Sequence, residues 1–456
     1  MAETEATKSE QTIPRSGTPS PVNIVGAPFD VEKHPTEKPA PPPEPAHHAH
    51  PHHFPEGGLK AWLTVLGGFF SMFCSFGWAN AIGVFQDYYE THQLKHLSSS
   101  AVGWISSLQL FFMFGCGIFV GRLFDAIGPR YLLITGTVLE VLGLMMTSIC
   151  TKYGEFLVCQ GIIAPIGAAF IFYTGIAAVP THFHKKRGVA MGISSSGSSL
   201  GGTLFPIMVK KLSQRVSYGW TMRSCAFLIL GLLIVANLTI TSNAEHKGLQ
   251  KIHPRDITKH FREIHYVLLV VSFLLTFWGL FIPFDYLTTT ARHYDISDDM
   301  ATYLVSILNA ASVISRIVTG HIADHAGRFN VNSIGILTAG ILTLALWIPS
   351  TGLAPFIVYA IIYGFASGTF ISLGPACCAQ ISQVSDIGTR VGALFAVGSF
   401  AALTGIPIAG AIIGDGSDQA RWRGMMAFAG SLILLGGALH WWGRVLKVGW
   451  SLRKVF

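Results

Sequence analysis

The sequence predicts an all-α membrane protein, with twelve transmembrane helices in two pseudo-symmetric six-helix bundles. Three observations predict it. Half of the 456 residues are apolar and only 12% are charged, against about 25% charged in a soluble domain. Apolar segments long enough to cross a bilayer, about 20 residues each, recur along the whole chain. One polar loop pattern also occurs twice, at matching places in two apolar halves. It reads Gly121-Arg122-Leu123-Phe124-Asp125-Ala126-Ile127-Gly128-Pro129-Arg130, then Gly320-His321-Ile322-Ala323-Asp324-His325-Ala326-Gly327-Arg328. In both copies a Gly stands four before an Asp, a second Gly stands three after it, and an Arg follows. Such repetition marks an internally duplicated membrane architecture.

Residues 1–55 are rich in Pro, Ser, Glu and His and hold almost no apolar run. They cannot bury enough surface to order themselves and read as a disordered cytoplasmic tail. The tract His47, His48, His50, His52 and His53 is biased composition or a weak metal binder. A first bundle over 56–241 holds spans near 61–86, 101–121, 131–150, 155–180, 188–209 and 222–241. The polar stretch 242–263 is a cytoplasmic linker. A second bundle over 264–445 holds spans near 264–288, 300–320, 331–349, 353–378, 388–412 and 424–445. Residues 446–456 form a short cytoplasmic tail. Small residues such as Gly192, Ser196, Gly197 and Gly201 allow close helix approach.

Lys185-Lys186-Arg187, the basic residues of Lys247 to Arg262, and Arg444, Lys447, Arg453 and Lys454 fall on one side of this topology. The other side carries Asp87, Glu90, Asp295, Asp298, Asp299, Asp415 and Asp418. The bias puts both termini in the cytoplasm, with the plasma membrane as the expected location. Lys210, Lys211 and Arg215 run against it. Both loop copies then follow the second helix of a half, on the cytoplasmic face.

The net charge of +7 lies in short loops and forms no continuous patch, which excludes a nucleic-acid partner. The seven Cys residues show no metal or disulfide spacing and read as small packing residues. No G-x-x-x-x-G-K-[ST] loop and no nucleophile–base constellation is found. The chain therefore reads as no enzyme, without cofactor or metal. A small-molecule substrate, the lipid bilayer and protons are its expected partners, and it reads as a functional monomer.

The arrangement resembles the major facilitator superfamily. The duplicated loop is similar to its G-x-L-x-D-x-x-G-x-R signature, complete at Gly121, Leu123, Asp125, Gly128 and Arg130 and shortened at Gly320, Asp324, Gly327 and Arg328. Within that superfamily, two segments resemble the monocarboxylate porter family, in its fungal form. Pro55-Glu56-Gly57-Gly58 leading to Ala61-Trp62 is similar to its first-helix entry. The run His182 to Gly197 is similar to its fifth-helix entry. The resemblance implies a secondary active transporter of a small organic solute, a monocarboxylate or related anion, working by alternating access. Fungal members resembling the chain are also linked to vitamin uptake and to export of secondary metabolites. A non-transporting sensor is the rival reading. The loop copies are then conformational switches, with Asp125 and Arg130 expected to matter more than Asp324 and Arg328. Some positions depart from the family. Asn80 stands where animal proton–lactate members carry Lys, and Ser312 replaces the Asp of their eighth-helix pair with Arg316. Gln160 stands where many antiporters have Arg.

Charges inside spans are functional candidates by default. Arg316, with Asn309 two turns before it, fits an anion site or a pairing with a helix end. Glu140 fits a proton carrier or a packing role, and Asp285 a gate or a solvated helix end. Asn80, Tyr173, Phe277, Trp278, Phe281 and Tyr363 complete the candidate substrate set, with Phe76 and Ser372 beside them. Stacking rings with a few polar groups suit a flat, amphipathic solute.

Overall fold

The computed structural model describes residues 56–81, 85, 88, 89, 92–97, 99–244, 248, 259–414 and 417–451. The expected N-terminal tail, its His tract and most of the linker lie outside these residues. Among the described residues there is no strand. Eleven helices among the described residues have the length and apolar content to cross a membrane. They are α1 (Leu59–Gly77), α2 (Ala101–Ile127), α3 (Pro129–Thr147), α4 (Tyr153–Thr181), α6 (Tyr218–Thr239), α7 (Ile264–His293), α8 (Tyr303–Ala326), α9 (Arg328–Trp347), α10 (Leu353–Gln380), α11 (Val384–Ile413) and α12 (Gln419–Val448). The twelfth crossing is α5 (Arg187–Ser213), 27 residues long, or roughly 40 Å at 1.5 Å per residue.

Why α5 is less apolar is a matter of position. It is rich in Ser and Gly, and most of its first half, Arg187 to Gly202, lies buried against α1 and α8. Helix α3 shows the opposite case. Ile134, Val138 and Leu142 are exposed along one face, while Leu133, Gly136, Glu140 and Leu144 are buried on the other. Such a one-sided apolar stripe is what a lipid-facing helix of a bundle presents.

The two halves repeat one packing scheme. α1 packs on α6 as α7 packs on α12, and α3 on α4 as α9 on α10. The halves meet along two seams, α5 against α8 and α2 against α11. Several helices are locally irregular. π-helical turns occupy Phe73–Gly77 in α1, Cys159–Ile163 in α4 and Thr343–Trp347 in α9. α2 is interrupted at Cys116. Such turns re-aim side chains within a continuous helix.

Candidate functional site

The second Gly of each loop copy makes the turn. Gly128 (φ 79°) closes α2 and Gly327 (φ 94°) closes α8. Both lie in the left-handed region that costs a side chain about 1–2 kcal/mol. The first Gly permits a close approach between halves. A methyl group on Gly121 would stand 2.0 Å from the Gly388 carbonyl oxygen, and one on Gly320 would stand 2.5 Å from that of Gly188.

The Asp of each copy then reaches the first turn of a helix in the other half. Asp125 accepts from the N–H of Gly388 (2.9 Å) and from the N–H and hydroxyl of Thr389 (2.6 Å each), at the start of α11. Asp324 accepts from the N–H groups of Gly188 (2.7 Å) and Val189 (2.9 Å), at the start of α5. A carboxylate there satisfies unpaired N–H groups and meets the positive end of the helix dipole. These two latches hold both seams shut on one face of the molecule.

The arginines of the two copies differ. Arg328 pairs with Asp324 (2.9 Å) and donates to the carbonyl of His184 (2.6 Å) in the other half, and to Gln380 (3.3 Å). Arg130 is exposed and makes no ion pair among the described residues. The two arginines therefore have different surroundings in this conformation. The shorter copy carries the bridging arginine, because dropping one residue after Gly327 puts Arg328 on the first turn of α9, four residues from Asp324.

The strap before α5 is held from a third side. Glu56 accepts from the N–H groups of His184 (2.8 Å), Lys185 (2.7 Å) and Lys186 (3.3 Å). Burial pushes its carboxyl up, but these three donors outweigh it and hold it below its ordinary value. Trp62 meets Phe183 edge to face at 5.2 Å. The first-helix entry segment thus braces the foot of α5. Its counterpart before α7 is Glu263, which pairs with Arg390 of α11.

Deeper in the α5–α8 seam the side chains are polar and mostly neutral. Arg316 is buried and donates to the Ser195 carbonyl, to the Ser198 hydroxyl, and from Nε to Ser312 (3.3 Å). Ser199 donates to Ser312 at 3.1 Å. No carboxylate lies in ion-pair range of Arg316 among the described residues. In this conformation Arg316 joins the halves, through acceptors inside α5. Ser312 accepts from both Arg316 and Ser199 in this seam. Asn80 donates to the Ser198 carbonyl at 3.4 Å. Asn309 donates to Val305 (3.1 Å), while its buried carbonyl oxygen has no partner. Both asparagines border Gly202 of α5, 3.0 and 3.3 Å from where its methyl group would stand.

Beside this polar seam, rings from both halves interlock. Phe76 of α1 meets Phe114, Phe172 and Phe281 at 5.6, 6.1 and 6.1 Å. Phe114 of α2 meets Phe277 at 5.2 Å and stacks on Phe395 of α11 at 5.6 Å. Phe76, Phe277 and Phe281 belong to the expected set. Phe114, Phe172 and Phe395 do not, because a Phe within an apolar run carries no mark in the sequence. Tyr173 edges onto the cluster, meeting Phe172 at 5.1 Å and Phe395 at 5.9 Å, while Tyr363 and Trp278 lie beside it. Tyr173 donates to the Phe114 carbonyl (2.6 Å), just before the break in α2. Tyr363 donates to the Leu280 carbonyl (2.8 Å) and stacks on Tyr359. Trp278 packs against Gly405 of α11, and its buried indole nitrogen has no partner.

The two acids lie in different halves, Glu140 on α3 and Asp285 on α7 one turn beyond Phe281. Glu140 is buried within the first half, against Gly167 of α4, and neither carboxyl oxygen has a partner. Asp285 is exposed on α7, two turns before its end. Gln160 accepts from Tyr89, which is also bonded to Tyr218 (2.7 Å).

The family model described as Major Facilitator Superfamily matches residues 64–353 and 289–454. The chain is 45% identical over 399 residues to the MFS transporter asaE of Aspergillus flavus, covering 87% of this chain and 90% of that one. It is 42% identical to the fujikurins efflux protein of Gibberella fujikuroi, covering 90% and 87%. It is 36% identical to the aspyridones efflux protein apdF of Emericella nidulans, covering 86% and 80%. Among solved structures, the human organic anion transporter MFSD10 shares the fold with TM-score 0.68 at 15% identity, covering 84% of this chain and all of that one. The transporter FucP, in its outward conformation, does so at TM-score 0.63 and 15% identity, covering 83% and 98%.

Proposed function

The chain belongs to the major facilitator superfamily and is a multi-pass membrane transporter, and on that premise we propose that it exports a flat, partly aromatic organic solute bearing a carboxylate or similar anion. The observation that carries this reading is the junction of the interlocked rings with the Asn80–Asn309–Arg316 seam. When the seam parts, that junction offers stacking faces, an unpaired amide oxygen and a guanidinium to one solute. Two relatives named as efflux proteins for fungal metabolites support the direction.

The monocarboxylate porter branch is part of the proposal and rests on Glu56-Gly57-Gly58 with Trp62 and on the run 182–197. The latch face is taken as cytoplasmic, from its Lys185, Lys186 and Arg187 and the positive-inside bias, in a plasma-membrane protein. The described state is then closed towards the cytoplasm, and alternating access breaks both latches as the halves rock. Glu140, a buried carboxyl without a hydrogen-bond partner, is the proposed proton site.

Flux of labelled aromatic acids and of neutral analogues into proteoliposomes, with and without a pH gradient, tests this. Arg316→Gln is expected to lower flux of the anion about tenfold or more, the weight of a hydrogen bond to a charged group, about 1.5–3 kcal/mol, and to spare the neutral analogue. Equal loss of both would make Arg316 a seam residue only. Absence of flux for every solute would end the transporter assignment of this site. Glu140→Gln is expected to abolish the response to the pH gradient and to leave downhill exchange intact.

A further inference from the structure

A cavity of about 900 Å³ opens on the latch face beside the second latch. Its walls come from both halves. The strap residues His184, Lys185 and Lys186 and the foot of α5 form one wall. His321, His325 and Arg328 of α8 and α9 face them, with Gln380 at the end of α10.

The charge of this cavity is not cancelled. The two carboxylates that approach it are already occupied. Asp324 is held by two N–H groups and by Arg328. Glu56 is held by three strap N–H groups. Lys185 and Lys186 are exposed, and no carboxylate lies in ion-pair range of their ammonium groups among the described residues. His321 and His325, with ring centroids 4.9 Å apart, face the same space.

The latch itself does not require this basicity. The equivalent stretch leading into the first turn of α11, Ile381 to Asp386, contains no Lys or Arg and carries an acid. Trp62 lies at the cavity rim and is 39% exposed. An amphipathic indole in that position marks the depth of lipid headgroups. The basic wall thus stands where phosphate groups of a bilayer lie.

We propose that this cavity binds a phosphate-bearing anion, the headgroup of an anionic phospholipid, and that the bound headgroup holds the second latch shut. The strap and α5 belong to one half, and α8 and α9 to the other. A polyanion seated between them has its full set of cations only while the seam is closed. Its differential affinity for the two states favours the closed one. Basic pockets on the cytoplasmic side of membrane helices are suited to such headgroups. The inference rests on the proposed switching role of the latches and is independent of the substrate, so binding and conformation are measured without transport.

The test uses the full chain in phosphatidylcholine vesicles, with spin labels on the latch-face ends of α5 and α8. Three additions are compared: phosphatidylinositol phosphate, phosphatidylserine and soluble inositol phosphate. Anionic lipid is expected to raise the closed population severalfold. Lys185→Gln with Lys186→Gln is expected to weaken that response on the order of thirtyfold in lipid concentration, from about 1 kcal/mol for each lysine near an anionic surface. Both variants alter exposed side chains, and the closed fraction in neutral lipid reports that they fold. Lys185→Arg with Lys186→Arg is expected to retain the response. A response to lipid alone assigns the headgroup. An equal response to soluble inositol phosphate keeps the anion site and overturns the lipid as its source. No response in the unaltered protein, or an undiminished one in the glutamine pair, overturns the proposal.

Discussion

At the end of α2, Asp125 rests on the first turn of α11 with three donors from that helix. At the end of α8, Asp324 rests on the first turn of α5 with two, and Arg328 completes the set from its own side of the seam. The backbone approach is alike in both, a glycine of one half against a glycine carbonyl of the other. The difference lies in what surrounds the carboxylate. In the first latch a threonine hydroxyl supplies the third bond. In the second an arginine does so and also ties the strap before α5. The duplicated fold preserves helix-to-helix contact and leaves the charge arrangement free to diverge. One turn further in, the asymmetry grows. Gly117 lies one turn before Gly121 and approaches the Gly392 carbonyl, whereas Arg316 lies one turn before Gly320 and bonds across to α5.

The largest expected effect tests what the latches share. A methyl group on Gly121 would meet the Gly388 carbonyl at 2.0 Å, and one on Gly192 would meet the Arg316 carbonyl at 2.1 Å. Both neighbours are backbone atoms and cannot turn aside. Gly121→Ala and Gly192→Ala are each expected to disfavour the closed state by about 1–3 kcal/mol, the usual cost of overpacking. Distances between spin labels across each seam would read this as a shift of roughly fivefold or more towards the open state. An unshifted population in either variant would show that its seam is looser than its mate.

The next effect tests how they differ. Asp324→Asn and Arg328→Gln, alone and together, are expected to be non-additive by about 0.5–3 kcal/mol, as residues of one network are. Asp125→Asn and Arg130→Gln are expected to add, because Arg130 is exposed and unpaired with Asp125. Coupling in the first pair only would confirm divergent charge networks. Equal coupling in both would mean that Arg130 engages in a state other than the closed one.

Much of this was legible in the sequence, and the residues show where legibility ended. Eleven helices announce themselves by apolar length. α5 was read as a span near 188–209 by the same ruler, yet it is the least apolar of the twelve, since most of its first half is buried and can carry serine. The loop copies were legible as a repeated pair at matching places of the two halves. Their targets were not, because Gly388 and Gly188 are unremarkable beyond a Gly-x-x-x-Gly spacing with Gly392 and Gly192. Arg316 was legible as a buried cation, while its acceptors Ser195 and Ser198 read only as small residues suited to helix packing. The rings of Phe114, Phe172 and Phe395 gave no sign, since nothing in a run of apolar residues says which face turns inward.

The smallest effect compares the two acids that brace the seam helices from outside. Glu263 is 56% exposed and pairs with Arg390. Exposed pairs contribute about 0–1 kcal/mol, so Glu263→Gln is expected to leave the latch population nearly unchanged. Glu56 receives three N–H groups, and its carboxyl is held below its ordinary value of 4.5. A lowered carboxyl contributes stability that is fully present above the ordinary value and is lost as pH falls through the lowered one. The closed fraction of the second latch is therefore expected to hold at neutral pH and to drop below about pH 4.5 in the unaltered protein. Glu56→Gln is expected to begin lower and to lose that acid-side component. A Glu56→Gln variant whose closed fraction matches the unaltered protein from neutral to acid pH would mean that the strap, once folded, needs no cap, and that the second latch rests on Asp324 and Arg328 alone.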